Sequence, residues 1–191
     1  YKNSAHGTNV LSCVAGIIEG HRIGMATEAE FLLARTESGV FEPYSEEENW
    51  LAASEWADKN GADIISSSLG YTNNRYFTWD MNGKKSLVAR AANMAARKGM
   101  LILNAAGNDG DDDWKYHGTP ADADSVLSVG GIDAMTDFHI YFSSYGPSAD
   151  KRMKPNICAY GIAIVAGKKG METAYGTSFA TPLAAGFAAC A

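Results

Sequence analysis

SLVARAANMAARKGMLILNAAG, residues 86–107, changes character at Lys98-Gly99. Residues 86–98 read as a helix, closed by a glycine just past its last turn, where a left-handed backbone ends helices at little cost. MLILNAAG (100–107) then reads as a short buried strand: an apolar run that ends in small residues. The same unit recurs on either side. Upstream, Ser45-Glu46-Glu47-Glu48 fits a capping box, and the helix it opens runs through Trp50, Ala53 and Ala57 to Asn60-Gly61. Ile64-Ile65 then begin a buried strand ending in SSSLG (66–70). Downstream, SVLSVGG (125–131) is another apolar run. HGTNVLSCVAGII (6–18) reads as a helix with Val10, Val14, Ile17 and Ile18 on one side. EFLLART (30–36) reads as a strand, and a last helix begins near Ser178.

Strand and helix alternate at βαβα spacing. This predicts an α/β fold of three layers, a mostly parallel sheet with helices on both faces. Function in such sheets gathers at the carboxyl ends of the strands. Here those ends are SSSLG, NAAGND (104–109) and the loop before Gly176-Thr177-Ser178.

The chain has 191 residues, 46% hydrophobic and 20% charged, enough for one domain with a core or most of a larger one. We treat residues 1–191 as one unit. The net charge is -6, with acidic clusters at 42–48 and 109–113, and basic residues scattered apart from short runs at 151–154 and 168–169. That balance disfavours nucleic acid as a partner. The apolar runs fall far short of a membrane span, so no membrane partner is expected. Cys13, Cys158 and Cys190 form neither a disulfide framework nor a zinc pattern. They read as small buried hydrophobes.

YGTSFATPLAAG (175–186) carries the most specific chemistry. Alone, a serine where a helix begins is most often a cap. A helix N-terminus also offers unpaired N–H groups and a positive dipole to a developing oxyanion. Gly176 allows close approach, and Pro182 is tolerated in the first turn. A nucleophilic serine needs a histidine base. Of His6, His21, His117 and His139, two head the tripeptide HGT. His6 opens an apolar helix and is the candidate base. His117 precedes a polar loop and reads as a chance match, an ordinary surface histidine. AAGN (105–108) follows a buried strand, and the Asn108 amide can donate to an oxyanion.

Each signal is weak by itself. HGT-x-V, SLG, AAGN and GTS-x-ATP, in that order, together resemble the subtilisin-like serine proteases, the subtilases. GMATEAEFLLART (24–36) and FSSYGPSADKRMKP (142–155) extend the resemblance over most of the chain. The ENW…EWAD pattern and TPADADSV are similar to a bacterial branch. The family often has proline at the position of Thr27, and commonly KPD where this chain has Lys154-Pro155-Asn156.

The resemblance implies a serine endopeptidase acting on polypeptides. Ser178 would be the nucleophile and His6 the base. Asn108 and the Ser178 N–H would form the oxyanion hole. Ser68, Leu69 and Gly70 would pair with an extended substrate, with Ala105, Ala106 and Gly107 as the other pocket wall. The family's order is Asp, His, Ser. Asp58, Asp63, Asp109, Asp111, Asp112, Asp113, Asp133 and Asp137 all lack the acid's context, an apolar strand running into Asp.

The sequence is therefore expected to be a partial peptidase domain, truncated before the acid and inactive or nearly so alone. A strand between 30–36 and 64–68 would be missing. The flanking strands would then close up, or another copy of the chain would supply pairing by strand exchange. No cofactor is expected. Family members often bind calcium, but no site can be assigned, and the acidic run 108–114 lacks an EF-hand's downstream glutamate. Family habit implies export. The competing reading is a non-catalytic peptide-binding domain, against which HGT, AAGN and GTSFATP stand together. An α/β-hydrolase is excluded by the absence of a G-x-S-x-G elbow.

Overall fold

The computed structural model describes residues 5–38, 43–168 and 170–191. Glu42 of the first acidic cluster and Lys169 of the second basic run lie outside the described residues. The chain opens with α1 (His6–Ala15), followed by the two-residue strands β1 (Ile17–Ile18) and β2 (His21–Arg22). Then come α2 (Ser45–Lys59), β3 (Ile64–Ser67), α3 (Leu87–Arg97), β4 (Leu101–Ala105) and β5 (Val126–Ile132). β6 (Ile157–Tyr160) precedes the hairpin β7 (Ile162–Gly167) and β8 (Gly170–Tyr175), which leads into α4 (Thr177–Ala189).

β3, β4, β5 and β6 form one parallel sheet in that order. Ile65 lies opposite Ile102, Leu103 opposite Leu127, and Val129 opposite Ile157. Neighbouring side chains on a strand point to opposite faces, and β4 uses this directly. Ile102 joins Trp50, Ala57, Val88, Ala92 and Ala95 under α2 and α3. Leu103 joins Val129, Ala180 and Ala185 under α4. Helices therefore cover both faces. Burying each of these large apolar side chains contributes about 1.5–3 kcal/mol. α1 lies against α4 and β7, where Cys13, Val165 and Phe179 share a small core.

Several expectations need correction. EFLLART forms no strand: residues 31–38 belong to no regular element, and Leu33 is 67% exposed. A strand persists only where its backbone is paired, and β3 pairs only with β4 among the described residues. The two flanking segments do not close up. The first helix ends at Ala15, and Ile17 and Ile18 enter β1 instead. The chain doubles back there through two glycines. A Cβ on Gly16 would lie 2.4 Å from Ser12 O, and one on Gly24 2.4 Å from Gly16 N. Cys13 is buried as expected, but Cys158 on the edge strand β6 and Cys190 at the end of α4 are exposed.

The capping box does not form. Ser45 is the first residue of α2 rather than its cap, and the N-terminus has no side-chain cap. Glu46 and Glu47 turn inward and are almost fully buried. Glu46 accepts from Ser38 N at 2.8 Å and lies 3.4 Å from the Arg75 guanidinium. Glu47 accepts from Tyr76 Oη at 2.6 Å and from Val88 N at 3.3 Å, and pairs with Arg75 at 3.3 Å. Burial and the neighbouring Glu46 charge hold the Glu37 carboxyl above the usual range. This buried network ties α2 to α3 and to the segment after β3.

Glu47→Ala strips a buried guanidinium of a carboxylate and is expected to cost about 3–5 kcal/mol. Glu28→Ala breaks the exposed pair with Arg22 (3.0 Å) and is expected to cost under about 1 kcal/mol. Urea unfolding of the two variants measures both values.

Candidate active site

The site forms where α4 begins beside the end of β4. Gly176 turns the chain with φ 144°, a conformation glycine adopts freely. A Cβ there would lie 3.4 Å from Asn108 Nδ2. This close passage sets Thr177 against Asn108. Thr177 N donates to Asn108 Oδ1 at 2.8 Å, and the Thr177 hydroxyl lies 3.0 Å from the same oxygen. Gly107 N donates to that hydroxyl at 3.2 Å, and Gly107 O lies 3.1 Å from it. Thr177 is wholly buried. With Oδ1 occupied, the donor half of the exposed Asn108 amide is presented away from Thr177.

Ser178 is the second residue of α4, half-buried, and not its cap; the cap position is Gly176. First-turn N–H groups have no helical acceptor, so the Ser178 N–H stands among the unpaired donors of the helix start. Ser68 Oγ donates to Ser178 O at 2.7 Å, and Ser178 Oγ lies 3.5 Å from Ser68 O. The segment that leaves β3 and the start of α4 therefore meet at the serine.

His6 opens α1. Its ring meets the Phe179 ring edge-on, with centroids 6.1 Å apart. Burial there holds its pKa below the ordinary 6.5. The structure thus brings His6 beside the residue that follows Ser178. His117 lies in a loop as expected, but it is wholly buried rather than on the surface. Its Nδ1 lies 3.4 Å from Gly118 O, and Nε2 has no partner among the described residues. Burial lowers its pKa to about 4. His21 is exposed on β2. His139 donates to Ser143 O at 2.8 Å and stacks on Tyr145.

Two walls flank the serine. Ser68, Leu69 and Gly70 leave β3 outside any ladder, and Leu69 O accepts from the buried Asn104 at 2.9 Å. Opposite, Ala105 ends β4, Ala106 is wholly buried, and Gly107 takes φ 118°. A Cβ on Gly107 would lie 2.6 Å from Ser144 Oγ. Gly118 and Thr119 join the two walls: Gly118 N donates to Ala106 O at 3.1 Å, and Thr119 N to Tyr71 O at 3.1 Å. Sequence reading missed this bridge, because HGT at 117–119 carries no local mark of contact with either wall.

Four of the aspartates that lack the acid's sequence context have side-chain partners here. Asp58 pairs with Lys98 at 2.8 Å. Asp109 faces Ser144 Oγ at 3.3 Å, and burial raises its pKa. Asp112 accepts from Trp114 N at 2.9 Å, and Asp133 from Met135 N at 2.9 Å. Among the described residues no three His, Cys, Asp or Glu side chains converge as a metal-binding group. Asn156, where the family commonly has aspartate, accepts from Ser128 N at 3.0 Å and from the buried Lys154 at 3.0 Å. Burial lowers the Lys154 pKa to about 8.

A serine at a helix start, an amide held beside it and a helix opened by histidine thus meet on the carboxyl edge of a parallel sheet. The chain belongs to the subtilase family, whose model matches residues 1–191. It is 30% identical to a thermostable alkaline protease of Halalkalibacterium halodurans, over 99% of this chain and 47% of that protein. It is 31% identical to the serine protease AprX of Bacillus subtilis, over 99% of this chain and 48% of that protein. A fungal subtilisin-like protease 2 from Pseudogymnoascus destructans is 29% identical over 97% of this chain and 42% of its own length. The chain thus spans less than half the length of these relatives. The solved prenylagaramide maturation protease PagA matches with a TM-score of 0.72 at 27% identity, over 97% of this chain and 62% of that one. MycP1 of Mycobacterium smegmatis shares the fold, with a TM-score of 0.70 at 23% identity, over 96% of this chain and 58% of that one.

The buried histidine makes acid stability a test of this geometry. Between pH 6.5 and about 4 the unfolded chain binds a proton that folded His117 refuses. Stability is therefore full above pH 6.5 and is lost as pH falls toward 4, by at most about 3 kcal/mol from this group. Urea unfolding across that range is expected to show the loss, and His117→Gln to reduce it.

Proposed function

We propose that residues 1–191 carry the His–Ser part of a subtilisin-type serine endopeptidase site acting on polypeptides. Ser178 Oγ attacks the peptide carbonyl while His6 takes its proton and later returns it to the leaving amine. The Asn108 Nδ2–H and the Ser178 N–H donate to the oxyanion, at the positive end of α4. Ser68, Leu69 and Gly70 receive the substrate backbone as an added strand, and Ala105, Ala106 and Gly107 form the facing wall. One observation carries the reading: buried Thr177 holds Asn108 Oδ1 at 2.8 Å, beside Ser178 at the start of α4.

The triad acid is assigned to no residue of this sequence. The family's order places it before the histidine, and YKNSA, the stretch before His6, holds no carboxylate. On this reading residues 1–191 alone are inactive or nearly so. In subtilisin, itself a member of the family, loss of the acid alone costs roughly 3 × 10⁴ in turnover. The open edge of β3 offers backbone for pairing, so the isolated segment is proposed to dimerise through exposed or exchanged strands. No helix among the described residues is long and apolar enough to cross a membrane. Export of the whole protein is proposed from family resemblance.

A fluorophosphonate serine probe tests the reading on the full-length chain and on residues 1–191. The full-length chain is expected to label, Ser178→Ala to abolish labelling, and residues 1–191 to label weakly or not at all. Asn108→Ala is expected to lower turnover about 10²–10³-fold, the size known for an oxyanion donor in subtilisin. A folded full-length chain that fails to label would overturn the enzyme reading in favour of a peptide-binding domain.

A further inference from the structure

The helix that begins with His6 and the hairpin that leads to Ser178 are joined by a ring of polar contacts. Asn9 Nδ2 donates to Ala166 O at 2.8 Å and to Glu172 Oε1 at 3.0 Å. Ala166 N donates to Ser12 Oγ at 2.9 Å, and Ser12 Oγ donates to Asn9 O at 2.7 Å. Both backbone groups of Ala166 therefore point out of the hairpin and are satisfied by α1. Asn9 and Ser12 are buried. Glu172 reaches Asn9 across Gly167, where a Cβ would lie 2.5 Å from the carboxylate.

Resting on the reading of His6 and Ser178 given above, we propose that Asn9 is a positioning residue for His6. It fixes the register of the histidine helix on the hairpin that delivers the serine. Three features support this. Asn9 is three residues past His6, so the two share one face of α1. α1 begins without a side-chain cap, so Asn9 supplies directional anchoring one turn in. Beside this ring α1 and the hairpin share an apolar cluster of Cys13 and Val165, with Val10, Ala163 and Ala174 packed against it. Apolar contact sets how close two elements lie but not how far they slide, because burial is non-directional. Hydrogen bonds fix both slide and rotation through their geometry.

Asn9 acts through His6 and touches no reacting atom. Its loss is therefore read in turnover and in the titration of His6. The full-length chain is assayed on a peptide substrate as wild type, Asn9→Ala, Ser12→Ala, Glu172→Gln and Glu172→Ala. Asn9→Ala is expected to lower kcat on the order of 10- to 100-fold, the scale of a misplacement of about 1 Å, with KM nearly unchanged. The acidic limb of its pH profile is expected to move up toward the ordinary 6.5, as His6 loses its edge-on contact with Phe179. Glu172→Gln keeps an acceptor and is expected to lose less than Glu172→Ala, which in turn loses less than Asn9→Ala.

A folded Asn9→Ala protein with wild-type kcat and an unmoved acidic limb would sink the proposal. If Asn9→Ala does not fold, Ser12→Ala breaks the same ring and decides by the same two readouts. Fluorophosphonate labelling separates the two layers. Labelling of the wild type that is lost in His6→Ala and Ser178→Ala upholds the site, so an inert Asn9→Ala then removes only this inference. Absent labelling of the folded wild type removes both.

Discussion

One hydrogen bond, from Thr177 N to Asn108 Oδ1, closes the structure at its most consequential point. It joins the carboxyl end of β4 to the amino end of α4, two elements remote in sequence. It satisfies a helix N–H that would otherwise lack a partner, so it contributes to the fold as well as to the site. It also settles the amide's orientation, because an oxygen engaged by Thr177 leaves only the nitrogen to face outward. Gly176 is favoured there by its backbone, since φ 144° is a conformation that L side chains rarely adopt. The burial of α4 on Leu103 and Val129 then fixes where this junction sits above the sheet.

The polar groups of the interior divide into two kinds. Around Glu46, Glu47 and Arg75, charges face one another across segments that are far apart in sequence, and removing one leaves another stranded. At His117 and Lys154 burial does the opposite. It pushes each group toward its neutral form, with pKa values lowered to about 4 and about 8. The first kind ties elements together at every pH where carboxylates are charged. Of the second kind, His117 adds an acid limit, felt between pH 6.5 and about 4.

The parallel order and the two covered faces were legible because buried strands and glycine-stopped helices are local signals. MLILNAAG and SVLSVGG each carry their own evidence. HGT, SLG, AAGN and GTS were legible for another reason: their order, rather than any one of them, is specific. What failed depended on partners. EFLLART has strand composition, but a strand needs a neighbour, and none pairs with it here. Ser45 to Glu48 has capping-box spacing, but α2 starts one residue earlier than that spacing needs: Tyr44 stands at the cap position and Ser45 is already helical. The β7–β8 hairpin went unread because IAIVAG and GMETAY alternate poorly. Its position is set by α1 and α4, not by its own sequence.

On the proposed reading, substrate preference is not written in the two walls of the cleft. Ser68, Leu69 and Gly70 on one side and Ala105, Ala106 and Gly107 on the other present mostly backbone. Backbone recognises an extended chain through its amide groups, which every peptide has. Discrimination must come from what closes the space between the walls. Gly118 and Thr119 do that, bound to Ala106 on one side and Tyr71 on the other. On the reading proposed above, a side chain larger than glycine at 118 would meet Thr72 Cγ2 and Tyr71 O at 3.0 Å, pressing directly on this closure. On that reading, backbone recognition and closure of the space between the walls reside in different residues: 68–70 and 105–107 for the first, Gly118 and Thr119 for the second.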